Sequence, residues 1–111
     1  MAQHRIAMDC RAIGDWDSFH DAVAAALVLA PHYGRNINAL IDVLTYPECD
    51  IGAVAADEGD SIALELTGAE TFRVRAPEAW TALIDAVAVT NQRKLEAGEP
   101  ATILLAFRDP S

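Results

Sequence analysis

Positive charge is scarce in this chain. Its 8 lysines and arginines face 17 aspartates and glutamates, a formal net charge of -9. A nucleic-acid binder needs a basic footprint to displace the counterions of a phosphate backbone, so this balance argues against that class. It leaves room for a basic protein partner, although acidity also simply keeps proteins soluble. Long apolar runs are missing too: nothing spans a bilayer, and the first residues lack the basic and apolar stretches of an export signal. No membrane association and a cytoplasmic location are therefore expected. Cysteine is limited to Cys10 and Cys49, which sit in unrelated contexts without C-x-x-C spacing. In a reducing compartment both are expected to be free thiols, with Cys10 a small buried residue at the end of an apolar run. The histidines and cysteines show no ligand spacing, so no metal is expected. Gly34 stands alone, and Gly52 and Gly59 lack a strand–turn–helix context. No phosphate-cradling loop, and hence no cofactor, is expected.

What is present is an ordinary globular composition. At 111 residues, 52% of them apolar, the chain predicts a single domain over residues 1–111 with a modest core. Arg5 to Cys10 reads as a first strand. Asp15, Asp17 and Ser18 offer caps for a first helix marked by Trp16, Phe19, Val23 and Leu27, running to about Leu29 before Pro31. From Tyr46 to Asp60, Pro47, two glycines and five acids predict a long surface connection, with a short helical turn near Ile51 to Ala56. Ser61 to Thr67 alternates Ile62, Leu64 and Leu66 as a second strand. Gly68 to Arg75 reads as a turn with Phe72 and Val74 inward. Pro77 opens a long helix that stops at Gly98, and Ala101 to Phe107 is an apolar strand. Trp16 and Trp80 read as core anchors. Strands separated by helices favour a parallel sheet, so the fold class is α/β.

The stretch from Leu29 to Thr45 carries the functional information. Asn36 can cap a helix start with its side-chain oxygen. Ile37, Leu40, Ile41 and Leu44 then fall on one apolar stripe at i, i+3, i+4 and i+7. Asn38, Asp42 and Thr45 fall on another face. Gly34 suits a chain reversal just before the helix. Asp42 lies near the helix C-terminus, where a carboxylate costs about 0.3–1 kcal/mol against the dipole. Arg35 is equally misplaced at the N-terminal end. Neither charge is where stability alone would put it.

Tyr33-Gly34-x-Asn36-x-x-Ala39-Leu40-x-Asp42-x-Leu44-Thr45 resembles the signature of the barstar family, small bacterial inhibitors of secreted ribonucleases. The resemblance implies a three-stranded parallel sheet packed with helices. It implies that this helix and the turn before it plug the active site of a basic ribonuclease or related nuclease toxin, as an immunity-type protein. The carboxylate of Asp42 would then stand in for RNA phosphate. The same resemblance assigns contact roles to His32, Tyr33, Arg35, Asn38, Ile41, Thr45 and Tyr46. Asn38 stands where the best-known member has a second carboxylate, and Ile41 where a tryptophan is common. No enzymatic activity is expected, and the free chain is expected to be a monomer. Two other classes compete: a barstar-like module whose protein partner is not a ribonuclease, and an enzyme built on His20, His32 and Asp42.

Overall fold

Parallel strands need crossover connections, and the strand–helix alternation of the sequence supplies them. In a computed structural model, which describes residues 2–108, the elements are β1 (Gln3–Asp9), α1 (Trp16–Leu27), α2 (Ile37–Thr45), α3 (Pro47–Asp50), β2 (Ser61–Thr67), α4 (Ala69–Arg75), α5 (Pro77–Glu96) and β3 (Ile103–Arg108). The three strands form one parallel sheet in the order β1-β2-β3, packed with the five helices. This is the α/β architecture the resemblance implies.

Both crossovers step the same way across the sheet, so right-handed connections deliver their helices to one face. The register bears this out. The rows His4–Ile62–Ile103, Ile6–Leu64–Leu105 and Met8–Leu66–Phe107 face the helices, and Ile6, Met8, Ile62, Leu64, Leu66 and Ile103 supply the sheet's share of the core. The alternate rows, Arg5–Ala63–Leu104, Ala7–Glu65–Ala106 and Asp9–Thr67–Arg108, carry no helix. Parallel sheets are usually covered on both sides. This one leaves Leu104 half-exposed because its second face is open. Over the covered face, Phe19 of α1 meets Phe72 of α4 at 5.7 Å between ring centroids. Burying each such side chain is worth about 1.5–3 kcal/mol.

Several sequence expectations need correction. β1 begins at Gln3, two residues before the expected Arg5. α1 stops at Leu27 because Val28 turns left-handed, φ 53°, and closes the helix onto Ala24. The residues from Gly68 to Arg75 form a helix rather than a turn; Phe72 is buried, but Val74 points outward at 64% exposure. The short helix of the acidic connection lies at Pro47–Asp50, not near Ile51 to Ala56. Pro47 at its start needs no amide partner. Beyond it, the Gly52 and Ala53 amides donate to the Val28 and Leu27 carbonyls at the end of α1, which fastens that stretch to α1 instead of continuing a helix. Trp16 is 42% exposed rather than a core anchor, whereas Trp80 is partly buried and packs edge-on to Phe72.

Asp60 is the largest surprise in the acidic connection. Its carboxylate is buried and accepts from the Ala2 amide (2.8 Å), the Asp57 amide (2.9 Å) and His4 Nε2 (2.9 Å). The two amides, then the His4 bond, hold its carboxyl well below the usual carboxylate range. Asn91 plays a matching part at the other edge, where its side chain bonds Thr102 and Ile103 and ties α5 to the start of β3.

Two predictions follow from these placements. A carboxylate whose folded pKa is depressed stabilises the fold above its unfolded value, near pH 4, and that contribution disappears as pH falls through the folded value. Asp60→Asn should lower the melting temperature at pH 7 by on the order of 5 °C, with the gap to wild type narrowing below about pH 4. Equal melting temperatures at pH 7 would show that Asp60 is not an anchor. Cys10 is buried, with its thiol pushed up to about 12 mainly by desolvation, and Cys49 is exposed. Native alkylation should therefore modify Cys49 within minutes and Cys10 only on unfolding, as read by mass spectrometry; equal rates would contradict the placement of Cys10.

Candidate functional site

α2 is positioned by both its faces. At its start, Asn36 is extended and its Oδ1 accepts from the Ala39 amide at 2.8 Å, the cap expected from the sequence. The chain reversal before it is not carried by Gly34. The left-handed residue is Arg35, at φ 52°. Gly34 is instead a point of close approach, where a Cβ would come within 3.2 Å of the Ala39 side chain. Inward, Leu40, Ile41, Val43 and Leu44 are buried in the core, with Ile37 packed at its margin. The stripe read from the sequence is present, and Val43 joins it.

The turn before α2 is fastened to α1. Tyr33 is half-buried and its hydroxyl lies 2.8 Å from His20 Nδ1. His20 is buried at 5% exposure and stacked on Trp16. Burial, reinforced by the nearby Arg35 charge, lowers the pKa of His20. A neutral imidazole then accepts at Nδ1 while the Tyr33 hydroxyl donates, and burial pushes that phenol up to about 12. Arg35 turns back in the same direction. Its Nη1 pairs with Asp21 at 3.0 Å, and its Nη2 donates to the Asp17 carbonyl at 3.0 Å. The guanidinium that the resemblance counts as a partner contact is thus paired with α1.

Outward, α2 presents Asn38 and Asp42, both exposed. The Asp42 carboxylate makes no hydrogen bond or ion pair among the described residues. It sits on the rim of two hollows. The first, about 270 Å³, lies on the turn side and brings Asp42 together with His32, Tyr33 and Asp50. The second, about 280 Å³, lies toward α5 and brings Asp42 together with Thr45, Tyr46, Glu48 and Arg93. Thr45 spends its hydroxyl inside the helix, donating to the Ile41 carbonyl at 2.6 Å. Tyr46 is half-exposed, with Lys94 Nζ 5.4 Å from its ring centroid.

Six of the eight residues singled out in the sequence therefore lie on or beside this surface. Ile41 does not: it is 8% exposed and belongs to the core stripe. Arg35 is near, but engaged with α1. Four further acids line the same two hollows, Glu48, Asp50, Glu58 and Glu99. Asp50 and Glu48 arrive beside Asp42 because α3 follows α2 with only Tyr46 between. The run of acids after Pro47 was the available signal. The histidines do not converge on Asp42. His32 shares its hollow, whereas His20 borders a different one with Trp16, Arg35 and Asn36.

The His20–Tyr33 bond generates a pH prediction. An unfolded-chain histidine takes up its proton near pH 6.5. Folded His20 resists it, so protons favour the unfolded chain below that value. Its contribution is complete above about pH 6.5 and is lost on acidification. Imidazole proton shifts of His20 should titrate below pH 6.5, and Tyr33→Phe should cost about 1 kcal/mol in urea unfolding. A His20 midpoint at or above 6.5 would contradict the buried, neutral assignment.

Comparison with curated protein sequences gives no match. A family model for barstar, the barnase inhibitor, matches residues 3–106, which includes β1, β2, the first four residues of β3 and the whole of α2 with its preceding turn. With nearly the full length covered, this chain belongs to the barstar family, whose members are protein inhibitors of barnase-type ribonucleases.

Proposed function

We propose that this protein is a non-enzymatic, intracellular inhibitor of a basic ribonuclease, and that the exposed face of α2 enters the enzyme's active site. The observation that carries this reading is the state of Asp42. It is an exposed carboxylate without a partner among the described residues, on a helix anchored by four buried side chains, between two hollows. Such a group is preorganised to accept hydrogen bonds from clustered cations that ordinarily hold phosphate. Asp50 and Glu48 extend the acidic surface on either side of it. The net charge of -9 adds long-range attraction to a basic partner.

A partner other than barnase itself is favoured by the two carried-over contacts that do not reach the surface as free groups. Ile41 is buried, and Arg35 is tied to α1. Asn38 contributes an amide in place of a carboxylate. The reading in which the partner is no ribonuclease at all rests on the same departures.

The deciding variant is Asp42→Ala. Its side chain lies off the apolar stripe, so little packing is lost. Its place near the C-terminus of α2 opposes the helix dipole, and removal should leave the free protein unchanged or more stable by a few tenths of a kcal/mol, roughly. At the interface the loss should be about 2–5 kcal/mol, because the enzyme's cations are left buried without a partner. The expected pair of results is an unshifted thermal melt and an affinity for the cognate nuclease reduced at least tenfold, by calorimetry. Wild-type affinity in Asp42→Ala would move the binding surface elsewhere.

A further inference from the structure

The second hollow beside Asp42 is not uniformly acidic. α5 ends against α2 with Arg93 and Lys94 in its last turn, and both line this hollow. The two cations are not equivalent. Lys94 is only 13% exposed, pairs with Glu99 at 3.1 Å and lies over the Tyr46 ring. Its charge is already answered. Arg93 is exposed, and among the described residues it forms no ion pair, although Asp42, Glu48 and Glu58 line the same hollow. An unpaired guanidinium therefore stands beside the carboxylate that is to meet the partner.

The geometry points to Arg93 as a specificity-determining residue: the hollow between α2 and α5 fits a nuclease that sets an acidic side chain next to its own phosphate-binding cations. This rests on the reading that Asp42 meets those cations. A partner that is basic throughout must bring positive charge against Arg93 when it closes on Asp42. A partner with a carboxylate at that spot gains an ion pair instead. Like charges set face to face exclude a wrong partner as effectively as good contacts select a right one. Rim charges of this kind act chiefly through the association rate and are screened by salt.

Barnase serves as the probe, inhibited by wild type, Arg93→Glu, Arg5→Glu and Asp42→Ala at low and high ionic strength. Arg5 lies on the helix-free face of β1, exposed and without an ion pair among the described residues, so its reversal changes net charge equally but far from the hollow. Arg93→Glu should lower the half-inhibitory concentration about three- to tenfold at low salt, with most of the gain lost at high salt. Arg5→Glu should gain distinctly less. An equal gain from both reversals, or none from Arg93→Glu, overturns the proposal. A different result tests the reading beneath it: Asp42→Ala inhibiting as well as wild type would remove Asp42 from the interface whatever Arg93 does.

Discussion

The docking of α2 by its apolar stripe is the interaction on which the function depends. Leu40, Ile41, Val43 and Leu44 are all buried beneath a helix only nine residues long. At about 1.5–3 kcal/mol for each side chain, their burial far exceeds the 0.3–1 kcal/mol, roughly, that a carboxylate near a helix C-terminus forfeits. The core therefore holds Asp42 in an unfavourable place at little risk to the fold. Ile41 is the clearest instance of this division. It adjoins Asp42 in sequence, yet it serves the core, and its neighbour serves the surface.

The turn before α2 is held by polar rather than apolar means. Arg35 occupies a left-handed conformation that few side chains adopt cheaply. Its bonds to Asp17 and Asp21, with the His20–Tyr33 bond beside them, fasten the turn to α1. The result is a turn held in place in the free protein, which under the proposed function lowers the entropic cost of binding. It also removes Arg35 from the electrostatic balance of the surface. Of the two cations that share a hollow with Asp42, Arg93 and Lys94, Arg93 is the one without an ion pair among the described residues.

What was legible in the sequence was local. The stripe of α2, the Asn36 cap, the second strand from Ser61 to Thr67 and the exposure of Asp42 all follow from periodicity and capping within a few residues. What was not legible depends on who arrives from elsewhere. His20 looks like a surface histidine until Tyr33 and Trp16 enclose it. Asp60 looks like one more solvated acid until the Ala2 amide and His4 reach it across the sheet. α4 is two turns long, starts from Gly68 and carries three charges, and its helical form goes with the burial of Phe72 and the Glu70–Arg73 pair. Phosphate mimicry itself was read from the Tyr33–Thr45 motif, whereas Glu48 and Asp50 join Asp42 only through the geometry of α3.

In the proposed complex, Asp42 occupies the place of substrate phosphate. Competition measures it most directly. The affinity of the cognate nuclease for this protein is determined at increasing concentrations of a mononucleotide that fills the enzyme's phosphate site. If Asp42 takes that site, the apparent Kd rises in proportion to nucleotide concentration, and Asp42→Ala shows a much weaker dependence. A ternary complex, in which nucleotide and this protein bind the nuclease together without mutual cost, would contradict the account.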